Sequence, residues 1–249
     1  MTLLNRALFN RWLLTAHRWL AIAIGAQVLL WVASGLFMSW FPIETIRGAH
    51  LRKPETQQVM RWDDTLISPN KALAVVNRPV STLSTGLFLG QPVWRAKTQS
   101  AILLVDAKTG TLISPISAEL ANKVAVATLN KKAASSQPVL LAEPPREVGG
   151  NGPAWRVDFK IEQGVTLYID VSSGEVRSIR TPLWRIYDFF WGLHIMDWQT
   201  RENFNSWWLK ASAAFAVGLS LIGLALTYQR INSMIIRWRH RAPTSESTS

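Results

Sequence analysis

The chain has 249 residues, a formal net charge of +11, 13 tryptophans and no cysteine. Its length allows one or two domains, and the lack of cysteine excludes disulfides, thiolate metal sites and cysteine nucleophiles. The arginines and lysines are spread along the chain, and those beside the apolar segments have almost no acidic neighbours. This distribution is typical of membrane topology, so we predict a protein that contacts the lipid bilayer and no nucleic acid.

The first apolar segment, Trp19–Phe41, contains no charged residue. It is long enough to cross about 30 Å of hydrocarbon. Residues 1–18 contain arginines and no acidic residue, which predicts a cytoplasmic N-terminus. A signal peptide is the alternative, because Val32–Ser34 resembles a small-residue cleavage site. The apolar run continues beyond that point, which favours an uncleaved transmembrane helix.

The second apolar segment, Trp207–Tyr228, has a single charge at Lys210, near enough to its start to reach the interface. Residues 229–249 begin with several arginines and end in a polar tail, and we predict that they are cytoplasmic. The domain at residues 42–180 is then extracytoplasmic. In a Gram-negative cell this arrangement places the chain in the inner membrane with its main domain in the periplasm.

Two stretches between the apolar segments resemble each other, Val93–Ile113 and Ala154–Arg177. Each contains Trp-Arg, an alternating apolar strand, the pattern Asp-x-x-(Ser/Thr)-Gly and the start of another strand. Alternation of apolar and polar residues is typical of half-buried strands. In the patterns that begin at Asp106 and Asp170, we expect the aspartate to accept backbone N–H groups and the glycine to take positive φ. The sequence therefore predicts two strand–turn–strand units.

The first turn has a second interpretation. The sequence from Asp106 to Thr111 resembles the signal for attachment of a flavin phosphate to a threonine in some secreted electron carriers, with Thr109 or Thr111 as the acceptor. Thr111 stands where a small alanine normally follows the glycine, and the same spacing recurs at Asp170. Because turn formation accounts for both aspartates, we prefer the turn.

Helices are predicted beside the strands, at Ser68–Arg78 and Ser117–Ala133, and each begins with a serine N-cap. Residues 135–153 are rich in Pro, Gly, Ser and Glu and are predicted to link one unit at about 60–134 to another at 150–180. The predicted fold class is therefore an α+β membrane protein, in which two transmembrane helices flank an extracytoplasmic domain of tandem strand-and-helix units.

Residues 181–206 precede the second apolar segment and are predicted to form an interfacial amphipathic helix and a cap. Thr181 is a suitable N-cap, and Pro182 suits the first helical position. Five residues recur at spacings of three and four and are predicted to share one helix face: Trp184, Tyr187, Trp191, His194 and Trp198. This helix either lies in the membrane interface with His194 as its polar tip, or presents His194 as a ligand among aromatic side chains.

The pattern as a whole resembles the PepSY-associated transmembrane family. Three parts carry the resemblance: the His-Arg-Trp helix His17–Met38, the two Trp…Asp-x-x-x-Gly units, and the Leu-His element Leu193–Trp208. The resemblance implies tandem PepSY-like units on an inner-membrane protein linked to iron uptake. It also implies electron transfer, because some members of that family are thought to be b-type haem proteins that reduce ferric siderophores or flavin carriers.

By this resemblance, His17 and His194 are axial ligands of haem b, with Trp191 and Trp198 beside the haem. Neutral imidazole is a common haem ligand. We expect the two histidines at opposite membrane faces, about 30 Å apart, so one haem cannot use both. The chain is then expected to form a homodimer, in which each histidine pairs with its mate, or a larger membrane complex that supplies the missing ligands.

The haem-ligand assignments have alternatives that involve no cofactor. His17 also fits a polar residue at the headgroup level, and His50 and His240 are predicted surface residues. Three functions remain open: a haem-binding electron-transfer component with a periplasmic acceptor, a non-catalytic module that binds or restrains another envelope protein, and a structural subunit of a larger transporter or reductase. The sequence contains no Walker-type loop, Gly-x-Ser-x-Gly or His-Glu-x-x-His motif.

Overall fold

The computed structural model describes residues 3–54, 65–161 and 164–241 of the chain. These residues form two compact units, which we call the helical unit and the mixed unit. The helical unit comprises Met1–Ser39 and Phe189–Ser249, and the mixed unit comprises Trp40–Asp188. The chain thus combines long helices with a separate α+β unit, as predicted.

The helical unit is built from two long helices and the end of a shorter one. They are α1 (Leu3–Trp40), α5 (Pro182–Ile195) and α6 (Trp207–Arg241). Within α1, Ala21–Trp40 is long and apolar enough to cross a membrane, and most of its side chains are exposed. It is the one segment with that property among the residues described. The predicted helix at Trp207–Tyr228 is confirmed as a helix, and its position across a membrane stays a prediction.

A short connection leads from α1 into the mixed unit. It contains the single-turn helix α2 (Ile43–Ile46) and a 3₁₀ turn at Ala49–Leu51. Ile46 and Leu51 are buried, because both turns direct an apolar side chain into the unit. Ile46 and Leu51 therefore anchor this segment in the mixed unit.

The first sheet of the mixed unit is an antiparallel meander with the order β1–β2–β3. Its strands are β1 (Thr82–Phe88), β2 (Gln91–Lys97) and β3 (Ile102–Asp106). Helix α3 (Pro69–Val76) packs on β2 and β3 and starts at Ser68, whose hydroxyl accepts the N–H of Lys71, as the sequence predicted. Because side chains alternate along a strand, the sheet buries two faces. One of them packs on α3 through Trp94, Ala96 and Val105.

The second sheet has four antiparallel strands in the order β4–β5–β6–β7. The strands are β4 (Val139–Leu141), β5 (Ala154–Phe159), β6 (Val165–Asp170) and β7 (Val176–Arg180). Helix α4 (Ala118–Thr128), capped by Ser117, packs on β5, β6 and β7. Strand β6 is buried along almost its whole length, as expected for the centre of a sheet covered on both faces.

One hydrophobic core joins the two predicted strand units. It contains buried residues of both sheets and of α4, among them Phe88, Val93, Leu104, Ala121, Ala125, Val157, Leu167 and Ile179. Helix α4 follows the first sheet in sequence, which predicts that it belongs to the first unit, but it packs mainly on the second sheet. The tandem units therefore share their interior and do not form separate cores.

Residues 135–153, predicted to be a link, contain structure of their own. They include β4 and a 3₁₀ turn at Arg146–Val148. Val148 is fully buried with Ala154 and Tyr168 on the face of the second sheet that lies away from α4. The segment closes this face, which its Pro- and Gly-rich composition did not indicate.

Both predicted aspartate turns are present. Asp106 Oδ1 accepts the N–H groups of Lys108 and Thr109, each at 2.8 Å. Asp170 Oδ1 accepts the N–H groups of Ser172 at 2.8 Å and Ser173 at 2.7 Å. The glycine that ends each pattern has positive φ, 79° in the first and 66° in the second. The two turns have the same hydrogen bonds, which favours the turn interpretation over flavin attachment.

Candidate functional site

Helix α5 carries the predicted ligand His194. It begins as predicted, with Pro182 at its first position and Thr181 Oγ1 accepting the N–H of Trp184 at 3.1 Å. It ends at Ile195, because the next residue, Met196, takes a φ of 53°. His194 is thus in the last turn of α5.

The imidazole of His194 contacts α1 near its C-terminal end. Its Nδ1 lies 3.0 Å from the hydroxyl oxygen of Ser34, a side chain that is only 1% exposed. The same hydroxyl donates to the carbonyl oxygen of Leu30, 2.7 Å away, in the preceding turn of α1. Because that bond occupies the hydroxyl hydrogen, we infer that Ser34 accepts and that the His194 proton is on Nδ1.

The other ring nitrogen of His194 is available. Nε2 makes no hydrogen bond to any residue that the structure describes. In the tautomer fixed by Ser34, Nε2 carries a lone pair, which is the form that binds a metal ion. Ser34 therefore orients the ring, and Nε2 is left without a hydrogen bond among the residues that the structure describes.

The residue after Ser34 lets the histidine come close. A Cβ atom on Gly35 would lie 3.6 Å from Cε1 of His194, so any larger side chain there would meet the ring. Next to this contact the rings of Phe37 and Phe190 are tilted against each other with centroids 4.4 Å apart. The close approach of α5 to α1 thus rests on one small residue and one aromatic pair.

The face of α1 that carries Ser34 also carries a buried hydrogen-bond donor. Trp31, one turn before Ser34, has a buried indole Nε1 that finds no acceptor among the described residues. A buried N–H without a partner costs roughly 1–3 kcal/mol. A bound molecule with an acceptor atom would satisfy it.

The predicted aromatic face of α5 is only partly present. Trp191 is on the helix, its Nε1 donates to the carbonyl oxygen of Arg201 at 3.1 Å, and its ring meets the edge of Phe204 at 5.4 Å. Trp198 lies beyond the end of the helix and is 60% exposed. The prediction that Trp198 shares the face of His194 is wrong, because the helical spacing stops at Ile195.

Asp197 organises the loop that follows. Its carboxylate accepts the Thr200 hydroxyl and several backbone N–H groups, including those of Glu202 and Asn203 at 3.1 Å each. The Thr200 hydroxyl and the Asn203 N–H hold the pKa of Asp197 well below its usual range. The cap predicted before the second apolar segment is formed by Ser206, whose Oγ accepts the N–H of Leu209 at 3.2 Å.

The remaining histidines lie apart from this site. His17 is in α1, 17 residues before Ser34 (34 − 17), which corresponds to roughly 25 Å of helix, and its side chain is outside the described residues. His50 is exposed, and its carbonyl oxygen accepts from Asn130 Nδ2 at 2.6 Å. His240 belongs to α6, and its side chain too is outside the described part.

Sequence reasoning missed Ser34 and Gly35. A polar residue followed by glycine is visible at this point of the apolar run, but the run also contains Gly25, Gln27 and Ser39, so the sequence does not single out Ser34. In the residues that the structure describes, no three His, Asp or Glu side chains converge on one point. No family model, no curated protein and no solved structure matches this chain.

Proposed function

We propose that the chain is a membrane protein that binds b-type haem through His194 and passes electrons to an acceptor outside the membrane. The observation that carries the proposal is the hydrogen bond between Ser34 Oγ and His194 Nδ1. An imidazole whose second nitrogen is held by a hydrogen bond is the usual form of a metal-ligating histidine. The resemblance to PepSY-associated membrane proteins supports the same function.

The surroundings of His194 fit a flat apolar group. The Phe37–Phe190 pair beside His194 is apolar, and the buried Trp31 N–H, which has no acceptor among the described residues, could bind a polar edge of such a group. Haem, when bound, supplies a one-electron redox centre whose potential depends on its axial ligands and on their hydrogen bonds. Ser34 would influence this potential through its hydrogen bond to His194, because that bond sets the tautomer and the basicity of the imidazole.

The same contact supports a retained first helix. Ser34 lies within the stretch that resembles a cleavage site, and its burial depends on a residue near position 194. Cleavage there would separate the helix from its partner side chain. We therefore propose that α1 is an uncleaved transmembrane helix, that α6 is the second one, and that both termini are cytoplasmic with the mixed unit in the periplasm.

One chain offers one described ligand at this position, so a second ligand must come from elsewhere. We propose that His194 pairs with its mate in a homodimer, and that His17 does the same near the opposite membrane face. In a larger membrane complex, another subunit would provide the second ligand instead. The acceptor is then a ferric siderophore or a flavoprotein, consistent with a role in iron uptake.

The test is a reduced-minus-oxidised absorbance spectrum of the purified full-length chain, produced with ample haem and with haem quantified per chain. Wild type should show b-type bands. His194→Ala should lose at least one haem population, whereas His50→Ala, which removes an exposed histidine, should retain the wild-type spectrum. A folded His194→Ala protein with unchanged bands and unchanged haem content would rule out His194 as a ligand.

A second candidate is a non-catalytic module that binds another envelope protein. Strand β4 favours it, because it is an edge strand whose Val139 and Leu140 are 54% and 52% exposed. An exposed apolar edge can accept a strand from a partner. This function predicts that a protein, and no haem, co-purifies with the chain, and that Leu140→Lys releases it.

A further inference from the structure

The junction between β7 and α5 holds an arginine with an unusual environment. Arg180 is the last residue of β7, and its Nε donates to the carbonyl oxygen of Glu147 at 2.5 Å. Its guanidinium carbon lies 3.9 Å from the ring centroid of Trp184, one turn into α5. A backbone carbonyl and an aromatic ring therefore fix the guanidinium.

Two neighbouring arginines are each paired with a carboxylate. Arg146 donates to both oxygens of Asp188, with 2.9 Å between Nη1 and Oδ1. Arg185 donates to Glu147, with 3.1 Å between Nε and Oε2. Both acids of this cluster are thus engaged by guanidinium groups other than that of Arg180.

The cluster has an excess of one positive charge. It contains three guanidinium groups, those of Arg146, Arg180 and Arg185, and two carboxylates, so the net charge is 3 − 2 = +1. Within the described parts of the chain, no Asp or Glu oxygen forms an ion pair with Arg180. Burial lowers the pKa of Arg180 to about 10 even though Glu147 and Asp188 oppose the shift. A half-buried cation without a carboxylate partner is costly unless an anion joins it.

We propose that Arg180 is the cation of a binding site for a phosphate group, from a lipid headgroup or from a free phosphate. The planar guanidinium fork suits bidentate binding of phosphate, and among the described residues only its Nε donates a hydrogen bond. A Cβ atom on Gly149 would lie 4.0 Å from Nη2 of Arg180, so the glycine places no side chain of its own against this nitrogen. The stack on Trp184 holds the fork in place before the anion arrives.

Exposed apolar residues that follow Trp184 in α5 support a lipid headgroup as one of the two sources of the phosphate group. Ile186 and Phe189, 49% and 52% exposed, lie about half a turn and about one and a half turns after Trp184 on the same helix. Exposed apolar side chains close to a cation are typical of helices that lie at a lipid surface. This proposal does not depend on haem binding, and it stands if the proposed electron transfer fails.

The experiment uses the full-length chain in maltoside micelles, which contain no phosphate. Thermal unfolding is followed while inorganic phosphate is added, with chloride at matched ionic strength as the salt control, and separately while phosphatidylglycerol is mixed into the micelles. A ligand that binds only the folded chain raises the unfolding midpoint in a saturable way. The variants are Arg180→Gln, Arg180→Lys and, as a charge-matched control, the exposed Arg78→Gln.

We expect a saturable rise of the midpoint by a few degrees in wild type and in Arg78→Gln, and none in Arg180→Gln. Arg180→Lys keeps the charge but loses the fork, so saturation should need several-fold more ligand. A rise with phosphatidylglycerol alone identifies a lipid, and a rise with inorganic phosphate identifies a free anion. The proposal is overturned if neither ligand shifts wild type, or if Arg180→Lys responds as wild type does; neither outcome requires Arg180→Gln to fold.

Discussion

The hydroxyl of Ser34 and the imidazole of His194, 160 positions apart in the chain, meet at 3.0 Å. Ser34 is buried in an apolar helix, where a hydroxyl without a partner is unfavourable. Its bond to Leu30 in the preceding turn satisfies the hydrogen, and His194 satisfies a lone pair. The two polar side chains thus satisfy each other's hydrogen-bonding groups in an apolar environment.

Ser34→Ala should destabilise the contact between α1 and α5. It removes the acceptor for His194 Nδ1 and leaves that N–H half-buried without a partner, at a cost of roughly 1–3 kcal/mol. Hydrogen exchange in the last turn of α5 should become faster, which mass spectrometry can measure. If haem is bound, its reduction potential should also change, because the ligand loses its hydrogen bond. Unchanged exchange at residues 190–195 would show that the bond is not important for stability.

Enlarging Gly35 should displace His194. A Cβ at Gly35 would be in ordinary contact with the ring at 3.6 Å, so Gly35→Ala should be tolerated, whereas the branched side chain of Gly35→Leu has no space there. Gly25→Leu in the same helix is the matched control, since nothing lies within 4 Å of a Cβ at that position. Haem content and hydrogen exchange in α5 should change in Gly35→Leu and stay at wild-type values in the control. Equal effects in the two leucine variants would mean that the change acts through the helix alone.

Local chemistry in the sequence correctly predicted where helices begin. Ser68, Ser117 and Thr181 all act as N-caps, because each is a short polar side chain that reaches the N–H three residues ahead. The end of α5 was not predictable in this way. Met196 adopts a left-handed conformation that its side chain does not favour, and Asp197 gathers the N–H groups of the following loop. Spacing alone therefore predicts a longer helix that includes Trp198, whereas α5 ends at Ile195.

Contacts between residues far apart in the chain could not be predicted from local sequence patterns. The periodicity around His194 indicated an amphipathic helix, and the polar interruption at Ser34 was visible, but nothing local connects the two positions. The packing of α4 on the second sheet is a second example, because the apolar spacing of α4 does not say which sheet it covers. Periodicity identifies a face to be buried, and the tertiary fold decides what covers it.

Gly174→Ala should destabilise the mixed unit. The residue ends the second aspartate turn with a φ of +66°, and a Cβ there would lie 2.5 Å from the ring of Phe88. Left-handed strain of about 1–2 kcal/mol adds to the cost of moving a buried ring, so the loss should be roughly 2–4 kcal/mol. The matched control is Gly90→Ala, which has a φ of +80° but nothing within 4 Å of its Cβ, so it should lose only the strain. Chemical denaturation measures both, and equal losses would contradict a clash with Phe88.

Tyr168 should ionise only at strongly alkaline pH. Burial and then the hydrogen bond from its hydroxyl to Glu147 raise the pKa of Tyr168 to about 12, from 10.0 in an ordinary environment. Because the folded chain holds this proton more tightly than the unfolded chain, the stabilisation is complete below pH 10 and is lost as the pH rises towards 12. The chain has 3 tyrosines, so phenolate absorbance of wild type minus that of Tyr168→Phe isolates this group. Glu147→Gln should lower the pKa only part of the way, since burial remains, and a Tyr168 that titrates near 10 in the folded wild type would contradict the buried Tyr168–Glu147 pair.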